Sequence, residues 1–119
     1  REMIAVVVSS INRCFYCLTA HGAAVRELSG DPILGEKLVM NFRTADLDSR
    51  RKVMLEFAEK VTIESHKINE TDRQNLRDVG FNDVDIWDIT NITAFFNMSN
   101  RVASALNMKP NDDYHSKNR

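Results

Sequence analysis

The sequence predicts an all-α fold on three observations. Prolines and glycines are scarce, at two and four in 119 residues, no stretch alternates polar and apolar residues between hairpin turns, and helix start and stop signals recur along the chain. Arg1 to about Ile11 reads as a mostly buried helix, because Met3, Ile4, Val6, Val7, Val8 and Ile11 leave only a narrow polar face. The same β-branched run also fits a buried strand. Asn12-Arg13 breaks the pattern. A second helix is expected from near Cys14 through Leu28, closed at Ser29-Gly30 by a left-handed glycine, which puts both cysteines on its first turn.

Pro32 suits the first turn of a third helix behind Asp31, carrying Ile33, Leu34, Leu38 and Val39 as far as a loop near Arg43 to Asp46. A fourth helix is expected over roughly Ser49 to Ser65. Thr71 and Gln74 make a capping-box pair for a short helix that stops at Gly80, with Leu76 and Val79 facing inward. Asn82 as cap, Asp85 at the third helical position and Phe81 stapled onto Ile86 then start a long helix to about Met108. Its stripe of Ile89, Ile92, Phe96 and Leu106 reads as core, and Trp87, Phe95 and the five methionines also read as packing. Pro110 and the polar run Asn111 to Arg119 read as a frayed or partner-bound tail. The expected organisation is one domain over residues 1–109 and a tail over 110–119, with no repeat, low-complexity block or linker.

Composition narrows the function classes. A formal charge of −1, from sixteen basic and seventeen acidic side chains spread along the chain, offers no basic stripe for nucleic acid or an anionic membrane. No apolar stretch reaches the roughly 18 to 20 residues that span a bilayer, so a soluble protein is expected. The opening Arg1-Glu2-Met3 lacks a cap and a leader, and the chain is expected to lack an N-terminal part of a longer protein. Two cysteines separated by two residues would close too small a loop to stabilise a fold, so structure alone does not explain the pair.

On a helix, Cys14, Cys17 and His21 fall at about 0, 300 and 340° on the wheel, along one stripe. His21 lies one turn after Cys17, where its imidazole can share the thiol proton. A helix N-terminus favours the thiolate further, and such sites pull a cysteine from about 8.5 toward roughly 3.5 to 7.5. A thiolate attacks a peroxide O–O bond to give a sulfenic acid, and a second thiol nearby condenses with it to a disulfide. Glu2, twelve residues before Cys14, would sit off that stripe in one continuous helix, but the break at Asn12-Arg13 permits its return. A carboxylate on this apolar helix needs a hydrogen-bond partner, and His21 would both satisfy it and relay protons.

The stretch Glu2-Met3-Ile4-Ala5-Val6-Val7-Val8-Ser9 followed by Asn12-Arg13-Cys14-Phe15-Tyr16-Cys17-Leu18-Thr19-Ala20-His21-Gly22 resembles the AhpD-like alkyl hydroperoxidase family of the carboxymuconolactone decarboxylase superfamily, and most of all its peroxidase-related branch. The pattern is a glutamate, eleven residues, CxxC, three residues and a histidine, met at Glu2, Cys14, Cys17 and His21. Leu76-Arg77-Asp78-Val79-Gly80-Phe81 and the run Phe95 to Ala103 also look like the family's later helices. The resemblance implies an AhpD-like helical bundle that forms homo-oligomers. It implies that Cys17 attacks the hydroperoxide, that Cys14 resolves and meets an external lipoyl- or thioredoxin-like dithiol reductant, and that Glu2 and His21 relay protons. Tyr16 stands where the best-studied type of the family carries a second histidine within its CxxC, and the superfamily's decarboxylases lack the cysteine pair.

Other readings of the same residues are a zinc site made by Cys14, Cys17, His21 and Glu2, a protein or lipoyl disulfide reductase, and a non-catalytic redox sensor or oligomerisation module. Haem attachment would need histidine directly after the second cysteine, where Leu18 stands. His66 and His115 read as solvated, and Tyr16 as lining the pocket mouth. The sequence reading is thus a thiol peroxidase working without metal, haem or flavin, in a reducing, cytoplasmic setting that can recycle its dithiol.

Overall fold

A computed structural model describes all 119 residues. Seven α-helices follow in order: α1 Glu2–Ile11, α2 Phe15–Ser29, α3 Leu34–Asn41, α4 Ser49–Glu64, α5 Glu70–Asp78, α6 Asp83–Ala105 and α7 Asp113–Ser116, with short 3-10 turns after α3 and α4. The apolar run near the start is helical throughout, which removes the strand alternative. Ile4 through Val8 are all buried, because α1 runs through the middle and packs on α2, α3, α4 and α6. A segment enclosed on every side has no need of a polar face. Leu34, Leu38, Leu55, Ala58, Leu76, Ile86, Ile89 and Phe96 complete the core around it.

The α1–α2 connection positions the site. Asn12 ends α1, Arg13 turns the backbone at φ 53°, and Cys14 is extended ahead of α2, with its N–H bonded to the Ser9 carbonyl at 3.0 Å. A left-handed residue is what lets the chain reverse within three residues. Cys14 is therefore the N-cap of α2 and not part of its first turn. At the other end of α2, Gly30 adopts φ 69° and closes the helix. Gly35 of α3 packs on Gly22 of α2, where an added Cβ would stand in ordinary contact, 3.5 Å from the Gly22 carbonyl oxygen.

Several boundaries shift. Helix α3 starts at Leu34, with Pro32 and Ile33 in the turn before it, where the Asp31 carboxylate accepts the Ile33 N–H. The capping box of α5 is formed by Asn69 and Asp72, two residues ahead of the expected Thr71 and Gln74, because Asn69 is extended while Thr71 is already helical. Asn82 and Asp85 do box the start of α6. That helix ends at Ala105, so Leu106 lies past the last turn and is exposed instead of core.

Trp87, Phe95, Met40, Met98 and Met108 are also exposed, against the packing expected of them. The buried positions of α6 are Ile86, Ile89, Thr93, Phe96, Asn100 and Ala103, a 3-4 repeat. Trp87 and Phe95 each stand one residue from that repeat, about 100° round the helix. The residues after Pro110 fold back. The buried Arg26 guanidinium donates to the Tyr114 and Lys117 carbonyls at 2.9 Å each, which holds α7 on α2. No helix is long and apolar enough to cross a membrane.

Candidate active site

Cys14 and Cys17 stand at the N-cap and third positions of α2, both as free thiols and both buried, at 1% and 2% exposure. Cys14 Sγ accepts the Cys17 N–H at 3.4 Å, so the first sulfur does the capping work that serine or aspartate usually does. The cysteines pack with Ala103 of α6 and with Tyr16. Cys17 Sγ also lies 3.9 Å from the Ser99 hydroxyl of α6.

Glu2 of α1 and His21 of α2 form a second pair. Glu2 Oε2 and His21 Nδ1 are 2.6 Å apart, which leaves the second ring nitrogen without a hydrogen bond. The imidazole stands edge-on to Phe96, with ring centroids 4.8 Å apart. Burial alone would push the Glu2 carboxyl up, but hydrogen bonds and positive charge from His21 and Arg1 hold it below its ordinary value. Glu2 and His21 open into a cavity of about 480 Å³ walled by Ile92, Phe95 and Phe96. A larger cavity of about 770 Å³, lined by Met3, Val25, Leu28 and Met54 among others, also reaches Glu2. Neither sulfur lines either one.

The expectation of a thiolate held low by His21 is not met. His21 makes no hydrogen bond to either sulfur: its Nδ1 is bonded to Glu2 and its second ring nitrogen has no partner. Burial pushes the Cys17 thiol above its ordinary value, and the neighbouring Cys14 pushes the same way; hydrogen bonds from Asn100 and Ser99 oppose them. The four predicted residues thus form two pairs. Cys14, Cys17, His21 and Glu2 do not converge as a metal-ligand set, since no three such side chains in the chain gather at one point.

Sequence reasoning missed the contribution of α6. Asn100, 1% exposed, donates to Ser9 Oγ at 2.9 Å and accepts from Asn12 Nδ2 at 3.0 Å, while Asn97 accepts from Asn12 at 2.9 Å and donates to Thr62 at 3.1 Å. These bonds hold the α1–α2 turn against α6. Their signal was present as Thr93, Asn97 and Asn100, polar residues at helical spacing on a face otherwise lined by Ile86, Ile89 and Phe96. Buried polar groups at that spacing need partners on a neighbouring element.

Two solved structures share this arrangement of helices. One is an uncharacterised peroxidase-related protein from Silicibacter sp. TM1040, 69% identical, with a TM-score of 0.98 over 99% of this chain. The other, described as an alkylhydroperoxidase AhpD core and an uncharacterised peroxidase-related protein, comes from Ralstonia eutropha JMP134 and is 45% identical, with a TM-score of 0.96 over 99% of this chain. The chain belongs with these AhpD-like, peroxidase-related proteins. It spans 62% of the length of each of them. A scan with family models finds no match, and neither does a comparison with curated proteins.

Proposed function

We propose that this AhpD-like chain is a thiol-dependent peroxidase that reduces hydroperoxides through a dithiol–disulfide cycle of Cys17 and Cys14. The observation that carries the reading is that the N-terminal half of α2 carries two adjacent free cysteines and a histidine hydrogen-bonded to a carboxylate. The names of the two structural relatives point the same way.

In this reading the Cys17 proton passes to the free ring nitrogen of His21, whose other nitrogen is held by Glu2. The thiolate attacks the peroxide: an S–O bond forms, the O–O bond breaks, and the departing alkoxide takes the proton from the imidazolium to leave as the alcohol. Cys14 sulfur then attacks the Cys17 sulfenic acid. The S–S bond forms, and hydroxide leaves with the Cys14 proton as water. An external dithiol, lipoyl- or thioredoxin-like, returns two electrons and two protons and restores both thiols. That need for recycling places the cycle in a reducing, cytoplasmic setting, and homo-oligomers fit the length of exposed apolar surface on α6.

Burial of both sulfurs favours one second reading, a redox sensor that oxidises once and does not turn over. Stopped-flow oxidation of the reduced chain by an organic hydroperoxide and by hydrogen peroxide separates them. The expected result is rapid consumption that Cys17→Ser abolishes, with sulfenate trapped in Cys14→Ser and turnover when a dithiol is added. Reaction no faster than that of a free thiol would defeat the peroxidase; one oxidation without turnover would leave the sensor.

A further inference from the structure

Outside the CxxC itself, the side chain that contacts the Cys17 sulfur comes from α6 and not from the residues that motif spacing singles out. Ser99 Oγ lies 3.9 Å from Cys17 Sγ and makes no other hydrogen bond within the chain. Its neighbour Asn100 is fixed from both sides, by Ser9 Oγ at 2.9 Å and Asn12 Nδ2 at 3.0 Å. Ser9 in turn accepts the Cys14 N–H on its backbone carbonyl at 3.0 Å. One residue of α6 therefore grips the turn that presents the dithiol, and the residue before it reaches the second sulfur.

We propose that Ser99 is a positioning residue for Cys17, its hydroxyl donating to the sulfur and favouring the thiolate, with Asn100 holding the α1–α2 turn at the distance that makes this contact. A hydroxyl gains most by donating to a charged acceptor, so the contact tightens as the thiol ionises. The groups around Cys17 leave this role open. The end of α2 presents Cys14 and Tyr16, and His21 one turn on is bonded to Glu2 of α1. The turn carries Arg13, which is exposed. On α6, Ser99 and Asn100 are neutral, and the Arg101 guanidinium is bonded to Asn97. None of these holds a formal positive charge against the sulfur. In a buried site where burial and Cys14 favour the neutral thiol, the donors of α6, Asn100 and Ser99, oppose them, and removing the Ser99 hydroxyl lowers the ionised fraction.

This inference deepens the peroxidase reading by naming what tunes its attacking thiol, and it rests on that reading only for its purpose. The test therefore uses no peroxide. Alkylation of Cys17 by iodoacetamide is followed from pH 6 to pH 10 in Cys14→Ser, alone and combined with Ser99→Ala or Ser99→Thr, with thermal unfolding to confirm that each variant is folded. The expected result is an upward shift of the midpoint and an alkylation rate near neutrality lower by about five-fold in Ser99→Ala, the size of one net hydrogen bond, with Ser99→Thr restoring both. An unshifted midpoint in Ser99→Ala, or the same shift in Ser99→Thr, would overturn the proposal. A positive result alongside a failed peroxidase assay would leave Ser99 in place and remove only the peroxidase.

Discussion

The two halves of the site differ most in how solvent reaches them. Glu2 and His21 keep 14% and 25% of their side-chain surface exposed and open into an aromatic-walled cavity, whereas Cys14 and Cys17 are buried under Tyr16 and α6. The local physics follows. The carboxyl is held below its ordinary value by the partners it has gathered, while the Cys17 thiol is pushed above its own by burial. On the proposed reading, the open half exchanges protons and the closed half holds the sulfurs away from solvent.

The largest expected effect breaks the open half. Glu2→Gln keeps the shape but removes the charge that orients His21, and the kcat/KM for an organic hydroperoxide, measured with saturating dithiol, is expected to fall on the order of 10²- to 10⁴-fold. An unchanged value would assign the proton work elsewhere and make the carboxylate–imidazole pair structural. The next effect strikes the support of the closed half. Asn100→Ala leaves the Ser9 hydroxyl without its buried partner and Asn12 with Asn97 alone, and urea unfolding is expected to show a loss of about 1–3 kcal/mol. A loss within a few tenths of a kcal/mol would mean that the turn is held by its backbone bonds alone.

The same contrast explains how much was legible in the sequence. Helix α1, the break at Asn12-Arg13, the Gly30 stop and the Asn82–Asp85 box are each written in a few consecutive residues, and the chain folds there as read. Glu2 and His21 meet across 19 residues because the hairpin that joins them is local. The contact of Ser99 with Cys17 spans 82 residues, and nothing in the spacing around the CxxC could announce it. Helix α6 misled for a related reason: it carries apolar residues on two faces, and hydrophobicity alone does not say which one the domain buries. The polar residues Thr93 and Asn100 mark the buried face, and Trp87 and Phe95 the exposed one. The α5 cap was misplaced because Asn69 and Thr71 are both good N-caps, and backbone geometry chose between them.

The smallest expected effect tests whether the sulfurs are as closed off as the comparison requires. A thiol whose folded value is raised binds its proton more tightly in the native than in the unfolded chain. Its stabilising contribution is complete below the ordinary cysteine value of about 8.5 and is lost as pH rises through the higher folded value. Thermal unfolding followed from pH 7 to pH 10 should therefore show the parent chain losing stability faster than Cys17→Ser, which cannot ionise there. The comparison is made in the Cys14→Ser background, so that the neighbouring thiol does not enter the difference. Parallel curves would mean that Cys17 titrates alike in the folded and unfolded chain. Water or a mobile turn would then reach the sulfur in the native state, and the two halves of the site would be equally open.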